Sequence, residues 1–346
     1  MGNKTGRHKG VYILPLVFFV VFSLSFLVGR YPVSPFIAIK ILFSKVISFF
    51  SFGKLSLSGW NAAEEAVVLN IRFPRIASAA LIGAALSVAG ASYQGIFRNP
   101  MVSPDLLGAS TGAGFGAALA ILLGGGYFMI TLSSFSFGLV AVLLAIMVAR
   151  KSRIDSTLSL VLAGVMISSL FSSGTSLVKL MADTEDQLPA ITYWLMGSLS
   201  SIKMKDFVFA FFPIVIGLVP IMLLRWRINL LTLNEDEAKS MGIEVKKMRL
   251  IVILSSTLMT AGAVSISGMI GWVGLVIPHF SRLIFGDDYS LTLPSSAFLG
   301  ATFLLLVDDL ARIVSTAEIP LGILTSFVGA PVFLFLIIKG GRRNET

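Results

Sequence analysis

Residues 207–224 read FVFAFFPIVIGLVPIMLL, an uncharged stretch bracketed by Asp206 on one side and by Arg225 and Arg227 on the other. Wound as a helix at 1.5 Å per residue, it is about 27 Å long, close to the ~30 Å hydrocarbon core of a bilayer. Similar apolar runs recur along the chain. Of its 346 residues, 55% are hydrophobic and 13% charged, and the mean hydropathy is +0.90. A soluble domain carries about 25% charged residues, so too few charges remain to cover a soluble surface of this size. The expected fold is all-α: a polytopic membrane protein in a single domain, 1–346.

Working outward from 207–224, the periodicity gives ten spans. They fall at 11–30, 71–96, 105–123, 128–149, 156–182, 206–224, 248–267, 270–285, 294–314 and 319–338, with an amphipathic piece at 35–50 lying in the outer interface. The eighth span is short and contains Pro278. Charge sets direction. With residues 1–10 as a cytoplasmic tail, ten spans return the carboxyl terminus to the cytoplasm. Then 17 of the 27 Lys and Arg fall inside and 10 outside, the latter spread over longer loops. This bias also accounts for the net charge of +9 without any nucleic-acid partner. Many of the 32 glycines sit inside apolar runs, where small residues let helices approach closely. Ala89-Gly90-Ala91 in span 2 echoes Ala261-Gly262-Ala263 in span 7. The echo fits two five-span halves of inverted topology, although chance produces such matches in helices rich in alanine and glycine.

The chemistry available is narrow. There is no cysteine, and the two histidines, His8 and His279, stand apart, so thiolate or histidine metal centres and cysteine nucleophiles are excluded. No serine-hydrolase, zinc-protease or P-loop pattern occurs. A membrane-embedded enzyme therefore has no catalytic constellation, and no cofactor is expected on the chain. Ionisable residues within spans are the default functional candidates. Asp308 and Asp309 lie toward the outer end of span 9, and Asp308 shares a helix face with Arg312, four residues on. No other span has an acid near its middle, which argues against a proton- or sodium-coupled secondary transporter.

The longest charged inside segment is 225–249. Within it Asn234 caps a short helix, Glu235, Asp236 and Glu237 fill its first turn, and Gly242 ends it. Its apolar positions are Leu233, Ala238 and Met241. A plain solvated loop needs neither caps nor apolar residues, so this reads as a docking helix.

Six segments resemble one family, in order and along nearly the whole chain. They are Arg72-Phe73-Pro74-Arg75; Asn99-Pro100 through Gly108; Tyr193-Trp194-Leu195-Met196-Gly197; Glu237-Ala238 through Gly242; Gly271-Trp272 through Arg282; and Glu318-Ile319-Pro320-Leu321-Gly322 through Gly329-Ala330-Pro331. The chain resembles the permease subunits of binding-protein-dependent ABC importers for iron-siderophores, haem and cobalamin. The resemblance implies a homodimer in the cytoplasmic (inner) membrane, embedded in lipid, with the substrate path between the two copies. It also implies two ATPase subunits that use ATP-Mg, and a periplasmic or lipid-anchored binding protein. By position, Arg72, Arg75 and Arg312 would receive acidic residues of the binding protein, as a basic patch on each subunit. Leu233, Glu235, Asp236, Glu237, Ala238, Met241 and Gly242 would couple to the ATPase. Ser156, Thr157 and Leu158 would form the cytoplasmic gate, with Leu158 departing from a position that is polar in some relatives. His279 would be structural.

Overall fold

The computed structural model describes residues 11, 13–29, 31, 33–51, 58–152, 156–315 and 318–341. Among them lie thirteen helices and no strand: α1 Ile13–Ser25, α2 Pro35–Phe50, α3 Ala62–Ile96, α4 Ala109–Leu122, α5 Tyr127–Lys151, α6 Ser156–Met181, α7 Gln187–Met196, α8 Met204–Leu231, α9 Glu235–Ser240, α10 Val245–Ser267, α11 Val273–Phe285, α12 Tyr289–Val314 and α13 Leu321–Gly341. Six of these (α3, α5, α6, α8, α10 and α12) are long and apolar enough to cross a membrane, and α1, α4, α11 and α13 are shorter apolar helices. These ten correspond to the ten expected spans. Below, outer and inner denote the sides assigned by the charge bias.

Two differences have local causes. The second span begins at Ala62, not at residue 71, because Asn61 starts the helix early. Its Oδ1 accepts from Glu64 N at 2.7 Å, and its own N–H donates to Glu64 Oε2 at 2.9 Å, a reciprocal cap. A π-helical turn, Val67–Arg72, then carries the chain into the bundle. The second difference is α7, a ten-residue helix that holds Tyr193 to Met196 and is too short to cross.

Helices α3 and α10 form the centre. In their apolar stretches 83% and 78% of residues are buried, against 22% for both α6 and α8 at the periphery. The buried faces of the central helices are rich in Ala, Gly and Ser, with larger side chains such as Ile76, Ile82, Tyr93, Ile253 and Met259 between them. A Cβ on Gly90 would lie 1.8 Å from the Gly274 carbonyl oxygen of α11, and one on Gly83 would lie 2.2 Å from that of Gly300 on α12. Backbones touch at both crossings, which in lipid substitutes dispersion and shape for a hydrophobic driving force.

The two shortest central spans are completed by non-helical chain. At 1.5 Å per residue α4 and α11 reach only ~20 Å. The 3-10 turn Pro104–Leu107 precedes α4, and Gly268–Trp272 precedes α11. Such backbone is tolerated at depth only where protein satisfies it. Gln94 Nε2 donates to the Val102 carbonyl at 3.1 Å and to that of Leu275 at 3.3 Å.

Gly90→Ala is expected to force α3 and α11 apart and to destabilise the protein by about 1–3 kcal/mol. Gly126→Ala, where a Cβ meets nothing within 4 Å, serves as the neutral comparison. Thermal unfolding in detergent measures both, and equal midpoints would refute the close-crossing account.

Candidate functional site

At the outer end the three arginines singled out by the sequence come together. Arg72 and Arg75 lie at and just after the end of the π-helical turn of α3, and Arg312 lies in the last turn of α12. They do not form a free basic patch, however. Their residues are 4%, 7% and 8% exposed, and each guanidinium is engaged within the chain. Arg72 donates to the carbonyls of Phe26 and Tyr31. Gly29 lets the chain pass this close, since a Cβ there would sit 2.9 Å from Arg72 Nη2. Arg75 bridges two acids. Its Nε and Nη2 reach Asp308 Oδ1 at 2.9 Å, and its Nη1 reaches Glu318 Oε2 at 2.9 Å.

Arg312 pairs with Asp308, Nε to Oδ2 at 3.2 Å, as the four-residue spacing predicts. It also bonds Asp309 and the Val28 carbonyl, the latter at 2.7 Å. Ser25 Oγ donates to Asp309 Oδ2 at 2.7 Å, so α1 joins the same network. The sequence pointed to the Asp308–Arg312 pair; Glu318 stood out only as the first residue of the sixth segment, and Ser25 carried no signal of its own. The reason for this burial with partners is physical. Arginines placed here at low dielectric need counter-charges, and the chain supplies Asp308, Asp309 and Glu318. Reversing all three arginines to Glu would gather six carboxylates in one buried cluster, so that variant tests folding before it tests docking.

Above the broken segments lies a chamber of about 1050 Å³. Two of the six segments, Tyr193-to-Gly197 and Glu318-to-Gly322, meet at its wall with the chain at 266–268. Ser198 N donates to the Ser267 carbonyl at 2.7 Å, and Leu321 N donates to the Gly197 carbonyl at 2.8 Å. Gly197, at φ +74°, stands where a Cβ would be 2.5 Å from the Met269 carbonyl oxygen. Only glycine fits that conformation and that gap. Tyr193-to-Gly197, Gly268-to-Trp272 and Glu318-to-Gly322 are thus one structural feature in three pieces.

At the inner end the capped helix is present as α9. Asn234 N–H donates to Glu237 Oε2 at 3.2 Å. The carboxyl end closes with Ile243 N on the Ala238 carbonyl at 3.2 Å and Gly242 N on that of Lys239 at 2.9 Å, with Gly242 at φ +81°. This is the two-bond stop that a left-handed residue permits. Arg249 of α10 holds Glu235 at 2.9 Å, and Arg98, just past α3, donates to the Leu231 carbonyl at 3.2 Å and to Asn234 Oδ1 at 3.4 Å. Among the expected apolar contacts, Ala238 is 1% exposed and belongs to the chain's own interior, whereas Met241 is 60% exposed. Leu233 is half-buried, and Asp236 and Glu237 are exposed.

At the suggested gate, α6 begins at Ser156. The Ser156 side chain lies outside the described residues. Thr157 is half-buried and Leu158 is 49% exposed at the inner end of α6. His279 is half-buried on α11, and the described residues contain no group of three or more His, Asp or Glu placed to hold a metal.

A family model described as the FecCD transport family matches residues 16–339. The chain belongs to this family. The molybdate import system permease protein MolB of Haemophilus influenzae is 38% identical over 339 residues, 97% of this chain and 98% of that protein. A Helicobacter pylori protein named as an iron chelatin transport system permease is 42% identical over 273 residues, 79% of this chain and 82% of its own. A solved metal-chelate type ABC transporter in an inward-facing conformation superposes with a TM-score of 0.84 at 37% identity, covering 96% of this chain and 99% of that one. The resemblance read from the six segments is therefore correct at the level of family. This FecCD-family chain is a permease of the ABC type, not an enzyme.

Asp308→Asn is expected to cost about 3–5 kcal/mol, because it leaves Arg75 and Arg312 short of a buried counter-charge. Lys45→Ala breaks the exposed Lys45–Glu65 pair, 2.9 Å apart, and is expected to cost ~0–1 kcal/mol. Unfolding midpoints in detergent compare the two, and comparable losses would contradict the buried-cluster account.

Proposed function

We propose that two copies of this chain assemble with two ATPase subunits and a periplasmic or lipid-anchored binding protein into an ATP-driven importer of a bulky metal-containing solute. The observation that carries the reading is α9: a doubly capped helix, braced on α3 and α10, that leaves Met241 exposed at the inner end. An apolar residue held rigidly between two charged flanks suits a groove in a partner. ATP-Mg is used by that partner. Both termini face the cytoplasm in this reading, in accord with the charge bias.

The substrate path lies between the two copies and is closed on the inner side by Ser156, Thr157 and Leu158. The binding protein docks on the outer end around Arg72, Arg75 and Arg312. A ferric siderophore, haem or cobalamin is the expected cargo. Because MolB is named for molybdate, that oxyanion belongs in the same uptake panel. Binding protein, ATPase and permease reconstituted in vesicles, offered each of these in turn, test the reading. ATP hydrolysis that ignores the binding protein and every cargo would overturn it.

The coupling assignment predicts that Met241→Asp buries a charge at the ATPase contact, costs several kcal/mol there, and weakens co-purification of the ATPase by tenfold or more. Ala238→Asp is expected to disturb this chain itself and to lower its own melting midpoint. Undiminished co-purification with Met241→Asp would remove α9 from the contact. For the gate, Thr157→Cys is expected to cross-link between copies to different extents with and without nucleotide. The chain has no native cysteine to blur the result. Equal cross-linking in all states, or none, would count against that position.

A further inference from the structure

Arg75 holds two carboxylates that differ in freedom. Asp308 is fully buried within α12, while the Glu318 side chain is 26% exposed, on the non-helical approach to α13. Arg75 Nη1 meets Glu318 at 3.0 Å (Oε1) and 2.9 Å (Oε2). Glu318 also stands between two cavities. One is a notch of about 230 Å³ lined by Arg72, Arg75, Arg312 and Tyr31. The other is the 1050 Å³ chamber, whose wall includes Glu318, Ile319, Pro320 and Ile323.

Charge decides what can happen here. The cluster sets Arg72, Arg75 and Arg312 against Asp308, Asp309 and Glu318, and is formally neutral. If the segment at 318–323 swings away, three guanidiniums are left with two carboxylates beside a partly buried notch. An uncompensated charge of this kind is costly. A carboxylate arriving from outside removes that cost, and the planar fork of Arg75 can take it with two hydrogen bonds.

We infer that Glu318 is an internal carboxylate that occupies Arg75 in the resting permease and gives way to a carboxylate of the docked binding protein, releasing the chamber wall at 318–323. This rests on the proposed docking of a binding protein at the outer end. Docking and wall release then favour each other by the same factor, since coupling between two binding equilibria is reciprocal. The partner's feature is an Asp or Glu on a projecting loop, able to enter the notch beside Tyr31.

The test uses the complete importer in vesicles, with two readouts. The first is ATP hydrolysis against binding-protein concentration. The second is the rate at which a membrane-impermeant maleimide labels the thiol introduced by Ile323→Cys at the chamber wall. Glu318→Gln is expected to lower the half-saturating binding-protein concentration about fivefold or more, and to speed labelling in the absence of binding protein. Glu318→Asp, which keeps the charge but shortens the reach, is expected to move both readouts in the same direction by less, and it decides the matter alone if Glu318→Gln fails to assemble. Wild-type half-saturation and labelling in these variants, or weaker docking, would overturn the role of Glu318 while leaving the importer reading intact. If wild-type hydrolysis does not respond to the binding protein at all, the importer reading itself falls.

Discussion

The contact between α3 and its neighbours, where Gly90 meets Gly274 and Gly83 meets Gly300, governs the rest of the structure. Hydrocarbon offers helices no hydrophobic reason to associate, so they must fit. Backbone contact at these points lets α3 bury most of its surface in small residues. It also brings the Val102 carbonyl, ahead of α4, and the Leu275 carbonyl, in the first turn of α11, within reach of Gln94. A carbonyl left without a partner in hydrocarbon costs several kcal/mol. Tight packing and broken spans are consequently one constraint seen twice.

The two ends of the bundle use charge in opposite ways. At the outer end three arginines and three acids are drawn inward, and α1, α3, α12 and the approach to α13 share one network. Its fully buried member, Asp308, is held in place because it cannot leave without exposing the charges of Arg75 and Arg312. At the inner end most of the pairs are exposed and run between adjacent turns, as Lys239 does with Asp236 at 3.4 Å, while the Arg249 guanidinium is buried and reaches Glu235 from α10. What fixes α9 there is its capping, the Arg249–Glu235 pair and the burial of Ala238. A network that resists change suits the frame of a pathway, and a rigid helix presented to solvent suits contact with a moving partner.

Asn229 extends that inner frame. Its Nδ2 donates to Asp288 Oδ1 and its Oδ1 accepts from Tyr289 N, both at 2.7 Å, so the end of α8 is fastened to the start of α12. The helix that enters α9 is thereby joined to the helix that carries Asp308.

The sequence by itself determined the ten apolar helices, the capped helix between the sixth and seventh, the Asp308–Arg312 pair and the family. Each depends on spacing along one stretch of chain: run length against bilayer thickness, a cap three residues from its partner, a pair four residues apart. Only the tertiary structure decided the environment of Arg72 and Arg75, because the carbonyls that hold Arg72 lie about forty residues away and the counter-charges of Arg75, Asp308 and Glu318, more than two hundred. It likewise decided that Ala238 faces inward while Met241 faces out, and that Tyr193-to-Gly197, Gly268-to-Trp272 and Glu318-to-Gly322 form one wall. Burial and charge balance are properties of what surrounds a side chain in space, and chain-local periodicity carries no information about neighbours brought in from elsewhere.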